Sequence, residues 1–231
     1  MTGELTLSRV MLEIRPHRDA SPEYIAHQLV ADLFGEREDR GYLFRVTRES
    51  HDRTEVQALV LAHTEPNPAP PPRPWGSVRS VEWKPFAPVI RPGTVLDYEI
   101  RINATTVVTK PSGVKQRTDV WDAVFAANRE DPRSPHDVYT AYLQRKLEGI
   151  AEVLKGRITA RGQVRIRRPG QREPITFIAA NLIGMLRVTD PDALVRTIAH
   201  GIGRSKAFGC GLLCLSRPGT VLPRRWRLDF E

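Results

Sequence analysis

Only two cysteines occur in 231 residues, Cys210 and Cys214, both in one apolar run, which excludes a disulfide framework and a four-ligand zinc site. They are expected to be buried thiols. No His-x-Glu, His-Glu-x-x-His or clustered carboxylate pattern offers a metal site, so neither metal nor cofactor is expected. No stretch reaches the ~18 consecutive apolar residues of a membrane helix. Met1-Thr2-Gly3-Glu4-Leu5 lacks the charged, then apolar pattern of a secretory leader. The expectation is a cytoplasmic protein that does not engage a membrane.

What is present is an ordinary globular composition, 40% hydrophobic and 27% charged, with room for one large domain or two small ones. The net charge of +8 is unevenly placed. Residues 1–109 carry 13 Lys+Arg against 15 Asp+Glu (−2), and residues 110–231 carry 22 against 12 (+10). A polyanion is the natural partner of such a field, because neutralising phosphates releases counterions whatever the sequence.

Residues 5–15 are β-prone, and Ser21-Pro22-Glu23 then supplies an N-cap, an N1 proline and an early acid for a helix. Further strands are predicted at 42–48, 56–63 and 94–102, with a proline-rich loop, Glu65 to Pro74, before the last. This order approximates βαββαβ with the second helix poorly marked. In the second half, Ser134-Pro135-His136-Asp137 caps a helix running to about Lys155, strands follow at about 157–168 and 172–180, and a third ends at Val188. Asp190-Pro191-Asp192 caps a helix stopped by Gly201, and 212–216 closes the unit. The predicted fold class is α+β, two tandem ferredoxin-like (RRM-like) domains over 1–109 and 110–231.

On the first helix, at about 100° per residue, Ile25, Ala26, Leu29, Val30, Leu33 and Phe34 share one arc, and Tyr24, His27, Gln28 and Ala31 the opposite one. His27 should face away from the core beside Tyr24. Either it is a solvated surface histidine, or it exchanges a proton near neutrality with the phenol as an orienting group. His17, His51, His63, His136 and His200 fall in turns, loops or element ends, where structural or solvated roles suffice.

From Lys155 to Arg172 there are seven basic residues and no acid: Lys155, Arg157, Arg161, Arg165, Arg167, Arg168 and Arg172, with Pro169-Gly170 as a turn. In a β-hairpin, Arg157, Arg161, Arg165 and Arg167 would share one face, a guanidinium stripe suited to the phosphate-lined groove of duplex RNA. A solvated charged face is the alternative. Gly201 to Gly211 contains four glycines around Arg204, Ser205 and Lys206. Dinucleotide fingerprints join a strand to a following helix, whereas this run joins a helix to a strand. It reads as a backbone-binding turn with Arg204 and Lys206 reaching phosphate, or as a close helix-to-strand packing turn.

The chain resembles the CasE family, the repeat-cleaving nucleases of type I-E CRISPR systems. The resemblance rests on Val188-Thr-Asp-Pro-Asp192 followed by Gly201-Ile-Gly-Arg-Ser-Lys-Ala-Phe-Gly-Cys-Gly-Leu-Leu213, on Leu7-Ser-Arg-Val-Met-Leu, on Tyr24-Ile-Ala-His27 and on Tyr42-Leu-Phe-Arg45. Gln28 stands where the family is often basic, and 111–137 diverges. The resemblance implies a metal-independent endoribonuclease that recognises a CRISPR repeat stem-loop RNA, cleaves it with Tyr24 and His27, and works with other Cascade subunits in antiviral defence. The alternative from another class is a non-catalytic hairpin-binding subunit. A third reading is a structural subunit recruited through Arg224-Arg-Trp226-Arg227.

Overall fold

Strand β1 (Thr6–Ile14) buries its even-numbered residues and leaves the odd ones half-exposed, the period-2 mark of a sheet with one face on a helix. That helix is α1 (Pro22–Phe34), which packs Ile25, Ala26, Leu29, Val30, Leu33 and Phe34 against Val10, Leu12 and Ile14, as the arc predicts. The computed structural model describes residues 5–34, 41–130 and 133–219. Strands β2 (Tyr42–Glu49), β3 (Glu55–Ala62) and β4 (Gly76–Pro85) complete an antiparallel sheet in the order β2-β3-β1-β4. This is the ferredoxin-like strand order without its second helix. Prolines 66, 68, 70, 71, 72 and 74 fill that segment and cannot sustain a helical ladder. Its ends are pinned to α1, by the Asn67 N–H on the Leu33 carbonyl (2.7 Å) and by Arg73 forking onto Asp32 (2.5 and 2.6 Å).

The second unit is a complete βαββαβ. Strand β5 (Val95–Ile102) is followed by an inserted hairpin, β6 (Thr105–Thr109) and β7 (Lys115–Asp119), and helix α2 (Val120–Ala127). Then come α3 (Pro135–Lys146), β8 (Ala151–Ile166), β9 (Ile175–Val188), α4 (Pro191–His200) and β10 (Leu213–Ser216). The sheet order is β10-β5-β9-β8, again ferredoxin-like. Gly184, paired with Tyr98 and with Gly156, leaves room for the Tyr98 ring, whose hydroxyl is buried without a hydrogen-bond partner among the described residues.

Three expectations shift. The strand at 94–102 opens the second sheet rather than closing the first, so the change of sheet falls between Pro85 and Val95, not at 109/110. The strand that closes the first sheet, β4, is largely exposed and lacks the apolar alternation that marks a half-buried strand in sequence. The helix expected to reach 155 stops at Lys146, because Gly149 turns the chain at φ 74° into β8. The strands expected at 172–180 and up to 188 are one strand, β9.

The cores meet at one end. Leu43 and Leu61 of the first sheet join the second core of Tyr98, Ile100, Ile102, Tyr139, Leu143, Leu182 and Leu194. This is why β2 and β3 bury both faces. Buried Arg45 spans the junction to Glu99, and beside it opens a cleft of about 1340 Å³. No helix among the described residues is long and apolar enough to cross a membrane. The segment Arg224 to Arg227 lies outside the described residues.

Candidate active site

The face of α1 opposite the core is half-buried rather than free, because the glycine-rich loop folds over it. After α4 the chain takes left-handed or glycine-only conformations that let it double back. At Gly201 (φ 73°, ψ 154°) a Cβ would also meet the Leu43 side chain at 2.8 Å, and Gly209 has φ 75°. The loop is tied to β5 through Asn103, whose Nδ2 donates to Ser205 Oγ (2.7 Å), and through the Gly211 N–H on the Arg101 carbonyl (2.7 Å). It delivers a 3₁₀ turn, Lys206–Phe208, against α1 and β2.

His27 sits in the resulting seam. Its Nδ1 lies 3.4 Å from the Tyr42 hydroxyl, and Phe208 meets the imidazole edge-on at 6.0 Å between centroids. Phe208 in turn stacks with Phe177 of β9 and carries the Arg168 guanidinium 5.6 Å above its ring. Arg168 Nε is buried with no hydrogen-bond partner among the described residues. Four segments distant in sequence therefore converge: α1, the start of β2, the glycine-rich loop and the end of the basic hairpin. Tyr24 is half-buried against the first core, and its hydroxyl has no hydrogen-bond partner among the described residues. The phenol beside the imidazole is that of Tyr42. Sequence spacing along one helix could not reveal Tyr42, Phe177 or Phe208, which reach the seam only through tertiary packing.

The glycine-rich loop divides its three polar candidates. Arg204 is exposed, and Ser205 is occupied by Asn103. Lys206 donates to the carbonyl of His200 at the end of α4, and burial lowers its pKa. That cation completes a helix terminus.

The basic ribbon is the hairpin β8–β9, but the stripe of four arginines is broken. A bulge between Ile158 and Ala160 changes the face: Arg157 pairs with Ile183, and Arg161 with Ala180, an odd and an even position of β9. The bulge is held by the Ile158 N–H donating to His136 Nδ1 at 2.9 Å. Arg157 therefore faces the cleft between the sheets, whereas Arg161 and Arg165 face the helices. Arg161 is neutralised there. Its Nη2 donates to Asp119 (3.0 Å) and to Asp122, and its Nε to the Tyr139 hydroxyl (3.2 Å). Burial and a hydrogen bond to Asp119 push the Tyr139 phenol far up. Arg157, Arg165, Arg167 and Arg172 are exposed and unpaired among the described residues. Cys210 is buried, which pushes its thiol up to about 11, and Cys214 is half-buried.

Two ferredoxin-like units, joined at a seam where a histidine meets an arginine-rich hairpin, define a double ferredoxin-like protein with a basic ribbon. The profile of a family described as CRISPR associated protein matches residues 5–217, and the chain belongs to that family. Its fold is that of Cas6e from Escherichia coli K-12, at 21% identity and a TM-score of 0.65 over 91% of this chain and 99% of that one. Thermus thermophilus Cse3 bound to an RNA representing a pre-cleavage complex is similar at 22% identity and a TM-score of 0.67, over 92% and 99%. A CRISPR endoribonuclease Cse3 bound to a 19-nucleotide RNA is similar at 23% and 0.68, over 93% and 100%. No curated protein sequence matches the chain.

Proposed function

We propose that this protein is a metal-independent endoribonuclease that recognises the CRISPR repeat stem-loop in precursor RNA and cuts it, working beside other Cascade subunits. The observation that carries the reading is the position of His27, in a seam with Phe208 and Arg168 at the end of the basic ribbon. Solved structures of the same fold include RNA-bound endoribonucleases and a CRISPR RNA-guided surveillance complex.

In the proposed reaction the 2'-oxygen attacks the adjacent phosphorus as the bond to the 5'-oxygen breaks. One proton leaves the 2'-hydroxyl and one reaches the departing 5'-oxygen, giving a 2',3'-cyclic phosphate and a 5'-hydroxyl. His27 carries out one of these transfers, help worth ~10²–10⁴ in rate. Tyr42 positions the imidazole, Tyr24 orients the nucleophile or phosphate, and Arg168 offsets charge on the phosphorane. Arg157, Arg165, Arg167, Arg172 and Arg204 hold the RNA backbone.

The test is cleavage of the cognate repeat hairpin in EDTA, beside a hairpin with a single 2'-deoxy substitution 5' of the cut. The expected result is full cleavage of the first and none of the second, with both bound equally. Cutting of the deoxy substrate, or loss of activity in EDTA, would remove the mechanism.

A further inference from the structure

A second polar hollow, of about 770 Å³, opens between the units near the N-terminus of α1, with the ribbon from Ala160 to Arg167 forming much of its wall. Its first-unit wall is Ser21, Pro22, Glu23 and Arg53, and across from them lie Arg101 of β5 and Asn181 of β9. The register accounts for the empty space. Arg101 is paired with Asn181, Asn181 with Ala160, and Ala179 with Gly162, so the sheet floor there consists of small residues. A Cβ on Gly162 would meet nothing within 4 Å.

The walls are cationic and incompletely satisfied. Arg101 is half-buried, yet its side chain has neither an ion pair nor a hydrogen bond among the described residues. Burying a charge without a partner is costly, and an anion that arrives with the ligand removes the cost. Ser21 is buried to 6% exposure, lines the hollow, and its Oγ has no hydrogen-bond partner among the described residues. Arg53 already holds Glu23 (2.7 Å) and Glu49 (3.0 Å), Arg161 holds Asp119 and Asp122, and Arg165 and Arg167 stand in solvent, which leaves Arg101 as the half-buried cation of the hollow with no anion among the described residues.

We infer that this hollow is a phosphodiester subsite for a single RNA strand, with Arg101 as its anion-binding residue. The inference rests on the RNA-cleaving reading. Its volume suits a group of small-molecule size, in the range of about 300–1,000 Å³, and not an RNA duplex. The ribbon is the element suited to a groove, so the strand in the hollow is an unpaired flank of the repeat, passing the first turn of α1.

The experiment compares binding of two labelled RNAs, the repeat hairpin with its single-stranded flanks and the same hairpin trimmed to its stem and loop. The proteins are wild type, Arg101→Met and Gly162→Leu. The second variant fills the floor with every charge kept, at a position with open space. Wild type should prefer the flanked RNA, and each variant should lose that preference by ~5–10-fold while binding the trimmed hairpin normally, with a salt slope lower by about 0.7 per strand phosphate released. Added inorganic phosphate at millimolar concentration should leave flanked binding unchanged; if it competes in wild type and not in Arg101→Met, the hollow takes a free anion and the strand assignment is overturned. Unchanged flank preference in both variants overturns it as well, as does an equal loss with both RNAs. Failure of wild type to bind either RNA counts instead against the RNA-cleaving reading.

Discussion

The backbone N–H of Ser21, one residue before α1, donates to the carbonyl oxygen of Arg167 at the end of the ribbon (3.2 Å). Through this bond the ribbon and the histidine share one frame. His27 lies six residues further on, about 9 Å along the helix axis at 1.5 Å per residue. Any ligand seated on the ribbon would thereby be placed relative to the imidazole by backbone geometry rather than by a mobile side chain.

Truncating His27 should separate chemistry from folding. His27→Ala removes a half-buried ring outside the Leu29 core, and is expected to bind the hairpin nearly as wild type while cleaving it ~10²-fold or more slower. Leu29 is 1% exposed, so Leu29→Ala should lose ~2–5 kcal/mol of stability, with activity following the folded fraction. Single-turnover rates beside thermal melts decide it. A His27→Ala protein that cuts at the wild-type rate would take the site off α1.

The ribbon arginines should divide into two groups. Arg165→Ala with Arg167→Ala should weaken hairpin binding and flatten its salt dependence by up to ~0.9 for each duplex phosphate no longer neutralised. Arg161→Ala should instead lower the melting temperature, since it leaves Asp119, 4% exposed at its side chain, without its cation. Equal changes of salt slope in both groups would show that Arg161 leaves Asp119 to meet RNA.

The glycine-rich loop should be intolerant at Gly201. An alanine there meets both the φ of 73° and the Leu43 side chain, and a cost of ~1–3 kcal/mol is expected. Cleavage should fall with it, because the same loop holds Phe208 against His27. Gly162→Ala, in open space, is the control and should melt like wild type.

Tyr98 makes the protein sensitive to alkali. Burial raises its phenol from the ordinary 10.0 to about 12. The neutral form is favoured in the folded state, so its support is complete below pH ~10 and is lost as pH rises from there through about 12. Phenolate absorbance, measured as a difference against Tyr98→Phe, should show this residue titrating near pH 12. A step near pH 10 in protein that is still folded would mean the hydroxyl is solvated.

The sequence made the strongly patterned elements readable. The arc of α1 and the proline and acid caps of α3 and α4 are local signals, and the structure places all three helices. Strand β4 escaped because an exposed edge strand has no buried face to impose alternation. The bulge near Ile158 escaped as well, since one extra residue changes the face of every side chain beyond it and leaves composition untouched. At the site, residue types pointed to His27 and the arginines. Their partners did not show: Tyr42 and Phe208 lie 15 and 181 positions from His27 and meet it only in the folded chain, and the carboxylates that neutralise Arg161 lie in the divergent stretch before α3.

The proline-rich segment that stands in for the missing second helix has a consequence for how the protein can change. It is fastened at Asn67 and again at Arg73, and the residues between these anchors are almost all exposed. Length added at a surface segment with fixed ends costs little, growing only with the logarithm of loop size. Residues 68–72 are thus where a lineage could graft a new segment, or an experimenter a fluorescent tag, without touching the seam around His27.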